Sequence, residues 1–148
     1  MKLTSSAFSD HGEIPDRYTH DGEDVSPPLA WSGIPRQARS LALIVDDIDT
    51  RKTWVHWVLV DLPVDSAGLP EGIARLPGGR IGVNDWSHAK WNGPSPPEGR
   101  HRYAFKLYAL DCELGLARPT KHEVEAAMAG HILDEAKLVG TYASRRAA

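Results

Sequence analysis

Cysteine is nearly absent: Cys112 stands alone among 148 residues. No intrachain disulfide and no cysteine cluster for zinc can form, and a reducing compartment is permitted. Long apolar runs are missing as well. The amino end, Met1 to Ser6, lacks the apolar core of a signal peptide, and the longest apolar stretches are too short to span a bilayer, so a cytoplasmic protein with no membrane span is expected. A His-Glu-x-x-His pair, a Gly-x-Ser-x-Gly elbow and a phosphate-binding P-loop are all lacking, which removes the commonest signatures of metal, serine and nucleotide chemistry. Neither sign of charge dominates. A formal net charge of -3 gives no broad attraction to nucleic acid or to anionic lipid, so any anion site must be built locally.

What is present describes one ordinary globular domain over residues 1–148: 41% hydrophobic and 25% charged residues, without repeats or low-complexity tracts. Eleven prolines and thirteen glycines lie between short apolar runs, as at Ser26-Pro27-Pro28 and Pro77-Gly78-Gly79, which is the punctuation of a strand-rich fold. Ser40 to Val45 reads as a strand covered on both faces. Trp54 to Leu62 reads as a strand with Trp54, His56, Val58, Val60 and Leu62 on one face and Val55, Trp57, Leu59 and Asp61 on the other. Arg102 to Leu110 follows as a third, with His101 and Tyr103 looking the same way. Helical signals come late. Thr120 and Glu123 form a capping-box pattern ahead of Val124, Ala127, Met128 and His131, Gly130 is a break or carboxyl cap, and Ile132, Leu133 and Ala136 predict a second short helix before an extended piece at 138–142.

Three segments combine reactive side chains with turn residues: Asp46-Asp47-Ile48-Asp49, Trp54-Val55-His56-Trp57, and Gly93-Pro94-Ser95-Pro96-Pro97 leading to His101-Arg102-Tyr103. Each has a plain alternative. Acids at a strand end serve turns, a histidine on an apolar face is often a satisfied core group, and a proline-rich segment can be only a stiff connection. The prolines nevertheless fix backbone dihedrals and withhold amide donors, which suits the rim of a preformed pocket. Strand alternation turns Arg102 away from its neighbours, towards a structural ion pair. Trp57, Phe105 and Tyr108 read as packing aromatics, and His11, His20, His88 and His122 as surface residues.

Together with Ser26 to Trp31, Leu41 to Asp49, Gly82-Val83-Asn84-Asp85-Trp86, the run Trp91 to Tyr103 and Gly130 to Tyr142, these segments resemble the phosphatidylethanolamine-binding protein family, in its bacterial and archaeal, Raf-kinase-inhibitor-like branch. The blocks come in the family's order over nearly the whole chain, and the Gly-Pro-x-Pro-Pro-x-Gly-x-His-Arg-Tyr signature is specific. The resemblance implies a mainly β fold of two packed antiparallel sheets, a β-sandwich, with short C-terminal helices and a small ligand pocket. By the same resemblance Asp47 and Asp49 look like the paired acids of the pocket and Trp54 and His56 like its aromatic and first histidine. Pro97, His101 and Tyr103 look like the opposite wall, and Gly93 and Pro94 like the bordering loop. Departures from the family pattern are Ile48 and Arg51 for proline, Thr50 for alanine, Ser95 for cysteine and Trp91 for tyrosine; with Arg51 and Lys52 they predict a more basic and more mobile margin.

The expected ligand is a small anion: phosphate, a phosphoethanolamine-like head group or a carboxylate. Its counter-charge is expected from histidine, since a carboxylate beside His56 or His101 favours the imidazolium. The resemblance further implies a role as inhibitor of a kinase or protease, and a homodimer. No cofactor is expected. The rival reading is a hydrolase, or a metal-dependent enzyme, using Asp47, Asp49, His56 and His101.

Overall fold

A computed structural model describes residues 1–144. Nine strands form two sheets. The small sheet joins β1 (Lys2–Thr4), β3 (Leu29–Ser32) and β6 (Gly68–Leu69) in the order β1-β3-β6. The large sheet runs β2 (Gly12–Glu13), β9 (Ile132–Ala143), β8 (Arg100–Leu110), β4 (Ser40–Asp47), β5 (Trp54–Leu62) and β7 (Arg80–Ile81). All pairs are antiparallel except β2 with β9. A 3-10 turn spans Asp16–Tyr18, and one α-helix, α1, spans Lys121–Met128.

Both faces of the large sheet are covered, and strand alternation decides what each holds. From β4, Leu41, Leu43 and Val45 enter the core between the sheets with Leu3, Trp31, Phe105 and Tyr142, whereas Ala42 and Ile44 meet Val124 and Met128 of α1. Burying each of those two helical side chains stabilises by about 1.5–3 kcal/mol, which fixes a helix of only eight residues to the sheet. Its start is the expected capping box: the Glu123 amide donates to Thr120 Oγ1 at 3.2 Å, and the Thr120 amide to Glu123 Oε1 at 3.0 Å. Gly130, at φ 82°, makes the turn out of it in a conformation that favours glycine.

Two expectations are corrected. The segment 132–136 is strand, not a second helix: β9 is continuous, paired with β8 from Ile132 against Leu110 to Ala143 against Arg100. Pairing along so long a neighbour overrides the weak local helical spacing. The alternation assigned to β5 holds from Trp57 to Val60 and breaks on either side of it. Val45 pairs with Trp57 but Asp46 pairs with Val55, so His56 is an extra residue, a β-bulge, and a second irregularity near Asp61 (φ 53°) lies between the Leu43–Leu59 and Leu41–Leu62 pairs. Consequently Trp57, Leu59 and Leu62 join the inter-sheet core while Val55, Val58 and Val60 pack under α1.

Candidate functional site

Where β4 ends and β5 begins, the bulge and three loops enclose a cavity of about 270 Å³ lined by Asp47, Thr50, Trp54, His56, Trp86, Ser95, Pro96, Pro97 and Tyr103. Asp47 reaches it because odd residues of β4 face the inter-sheet side. Its carboxylate accepts one donor at each oxygen, Oδ2 from His101 Nδ1 at 2.6 Å and Oδ1 from the Asp49 amide at 2.9 Å, and keeps further acceptor capacity. His101 lies beside Asp47 on β8, as the alternation with Tyr103 predicts, and acts on the cavity through that carboxylate.

His56 is 3% exposed. Nδ1 donates to the Asn92 carbonyl at 2.5 Å, so the neutral ring presents Nε2 as an acceptor. Burial lowers the His56 pKa, against the opposing pull of the Asn92 carbonyl and of Asp47. The imidazolium expected to carry an anion's counter-charge is therefore not what burial favours at His56 in the free protein, and among the described residues no lysine or arginine lines the cavity. Tyr103 hydroxyl stands close to Asp47 and Ser95, yet it is buried and makes no hydrogen bond of acceptable geometry among the described residues. Burial, then the charge of Asp47, raises its pKa and keeps it a neutral O–H donor.

The walls are aromatic. His56 meets Trp86 edge-on at 4.8 Å and Tyr103 at 5.2 Å, and Trp54, 37% exposed at the mouth, meets Trp86 at 5.6 Å. Trp86 is placed by Asn84, whose Oδ1 accepts from the Trp86 and His88 amides and whose Nδ2 donates to the carbonyls of His56 and Lys90 and to Asn92 Oδ1. Asp85 clips the same loop to β5, accepting the Val55 amide at 2.7 Å. Sequence reading placed Trp86 in a resembling segment without a role for it, because its position depends on a turn and an asparagine whose five side-chain contacts no periodicity reveals.

The other expected residues lie behind the wall. Gly93 donates its amide to Asp24 at 2.9 Å, and a Cβ there would collide with the Tyr18 carbonyl and the Asp24 carboxylate, so glycine alone lets the loop seat itself. The Pro94 carbonyl accepts the His20 amide at 3.0 Å. Asp49 is turned outwards and occupied by Arg102, which gives it the backbone amide at 2.7 Å and a two-pronged guanidinium contact; these bonds hold its carboxyl below the usual range. Arg102 is thus the ion-pairing residue expected, and the loop lacking the family prolines is tied by hydrogen bonds. Arg51 and Lys52 are exposed at its margin. His11, His20, His88 and His122 are exposed, and Trp57 and Phe105 are buried.

The sequence matches the family model described as phosphatidylethanolamine-binding protein over residues 4–143. It is 52% identical to a UPF0098 protein of Methanothermobacter thermautotrophicus across 96% of this chain and 98% of that one, and 42% identical to one of Chlamydia muridarum across 96% and 98%. Among solved structures it is similar to a homolog of the phosphatidylethanolamine-binding protein, CT736, from Chlamydia trachomatis (TM-score 0.92, 40% identity, 97% of each chain). It is also similar to YbcL of E. coli, described as a new member of the mammalian family (TM-score 0.90, 25% identity, 97% of this chain and 98% of that one). With a β-sandwich that superposes on those structures and a family match over nearly its whole length, this chain belongs to the phosphatidylethanolamine-binding protein family.

Proposed function

We propose that the protein binds a small polar head group that carries both an acidic oxygen and a proton of its own, such as phosphoethanolamine or a monoprotonated phosphate. The observation that carries this reading is the Tyr103 hydroxyl, a buried donor beside Asp47 and without a partner of its own. Leaving such a group unpaired costs about 1–3 kcal/mol, and a ligand oxygen accepting from it recovers that energy. Asp47 and the neutral His56 ring are acceptors, so they suit a protonated phosphate oxygen or an ammonium, and Trp54 and Trp86 offer ring faces to an alkyl stem or cation. A cavity of about 270 Å³ suits a head group and not a lipid with two tails. A carboxylate ligand would use the same Tyr103 donor.

Calorimetric titration of phosphoethanolamine, phosphate, acetate and ethanolamine into the wild type and Tyr103→Phe tests the reading. Phosphoethanolamine is expected to bind tightest, and Tyr103→Phe to weaken it about tenfold. The same variant is expected to be slightly more stable than the wild type without ligand, because it deletes an unsatisfied hydroxyl. Equal affinity in the two proteins would sink the proposal. Release of inorganic phosphate from phosphoethanolamine would replace it with the hydrolase reading, and a kinase or protease inhibited through this pocket would lose inhibition when phosphoethanolamine competes.

A further inference from the structure

At the end of the molecule where β8 stops and β9 begins, a second group of donors gathers. Asp111 and Cys112 follow the last residue of β8, and His131 precedes the first of β9. Cys112 Sγ, a ring nitrogen of His131 and a carboxylate oxygen of Asp111 all lie within 4.8 Å of one another. Among the described residues this is the one such trio, whereas Asp49 of the pocket acids is committed to Arg102. From this geometry we infer a site for a borderline-soft divalent cation, of the Zn2+, Co2+ or Cd2+ class, held by Asp111, Cys112 and His131.

The backbone is already fixed around it. The Asp111 amide donates to the His131 carbonyl at 3.0 Å, the His131 amide donates to the Met128 carbonyl at 2.8 Å, and Ser40 Oγ donates to the Cys112 carbonyl at 2.6 Å. The two chain segments therefore stay together without a metal, and only side chains need to move. Zinc bonds of about 2.0–2.3 Å set tetrahedral edges of about 3.3–3.7 Å, so a shift of about 1 Å brings the donors onto an ion. Asp111 and His131 are exposed and Cys112 is half-buried, which leaves room for that rotation and for water at the remaining position.

The donor set selects the metal. Thiolate and imidazole disfavour Mg2+ and Ca2+, which take oxygen, and favour Zn2+ and its spectroscopic substitutes. A hydrogen bond accounts for the 2.7 Å contact of Asp111 Oδ1 with His131 Nδ1, and the Cys112 thiol lies against the same Asp111 carboxylate, which gathers all three donors around one point. On metal capture the Cys112 S–H bond breaks, its proton leaves to buffer and an S–metal bond forms, while the His131 Nδ1 proton passes through water to Nε2, so that the Asp111–His131 hydrogen bond is exchanged for two metal bonds and the ring stays neutral. No electron moves.

Cys112 is the only cysteine, so a thiolate-to-cobalt charge-transfer band can come from nowhere else. The reduced, untagged full chain is titrated with Co2+, then with Zn2+. The expected result is a band saturating at one cobalt per chain and bleached by Zn2+. It should be lost in Cys112→Ser and its affinity at least about tenfold weaker in His131→Ala and Asp111→Asn, whose circular dichroism stays that of the wild type. His101→Ala should leave the band intact. Absence of the band in the wild type, or a band of undiminished affinity in His131→Ala, would overturn the site.

Discussion

Asp46 and Asp47 are consecutive, both nearly inaccessible, and put to opposite uses. Asp46 points to the helix side, where Oδ2 accepts from Lys106 at 3.1 Å and from Lys121 at 2.5 Å, so it ties α1 to the sheet. Asp47 points into the cavity with His101. One acid is surrounded by fixed cations and holds structure. Its neighbour is given a single histidine, an unsatisfied tyrosine and an open wall, and is left able to meet a ligand. On the proposed reading, type and burial do not separate the structural acid from the binding one; the partners on each face do.

Substitution by asparagine, which preserves shape, sharpens the contrast. Asp46→Asn leaves two partly buried lysines without a carboxylate and should lower stability by about 2–3 kcal/mol in chemical denaturation, with phosphoethanolamine affinity unchanged. Asp47→Asn keeps one acceptor oxygen for the Asp49 amide, and its new NH2 donates to His101 Nδ1 once that ring carries its proton on Nε2, so a loss of about 1 kcal/mol is expected while binding falls at least about tenfold. If both variants lost stability equally and both kept binding, the division between the two acids would be wrong.

A smaller effect concerns pH. The folded pKa of His56 is depressed by burial, so the unfolded chain takes up a proton there first, and the contribution of His56 to stability is complete above its unfolded value of about 6.5 and declines as pH falls towards the folded value. Thermal midpoints of the wild type should drop between pH 7.5 and pH 5 more steeply than those of His56→Gln; parallel curves would contradict the neutral assignment. Smallest of all should be Arg102→Ala. It takes the guanidinium from the exposed Asp49 carboxylate and leaves it the backbone amide of position 102, speeds amide exchange at Asp49 and Thr50, and changes ligand affinity less than about twofold, a result that would separate Asp49 from the Asp47 site.

Much of this layout is legible in the residues. The apolar run at β4, the limits Trp54 to Leu62 of β5, the strand around Tyr103 and the Thr120–Glu123 cap all announce themselves locally, because each depends on near neighbours in the chain. Two kinds of information do not. The bulge at His56 is a property of the pairing with β4, visible only when a partner strand is counted against it, and the strand at 132–136 depends on β8 in the same way. Trp86 entered the cavity through Asn84, and Asp49 left it through Arg102, by hydrogen bonds between segments distant in sequence. Motif spacing put both acids at the end of β4 without revealing which of them was already engaged by Arg102.

The extra residue in β5 has a practical corollary. A strand that carries one residue more than its partner requires can be shortened by one and still pair. Removing His56 would return Val55 and Trp57 to direct succession opposite Asp46 and Val45, matching the ladder that the rest of the sheet follows. The cavity would then lose the ring that meets both Trp86 and Tyr103, while the inter-sheet core kept Trp57. The proposed head-group site is thus an insertion into a scaffold that does not need it, and a single-codon deletion is expected to give a folded protein without that site.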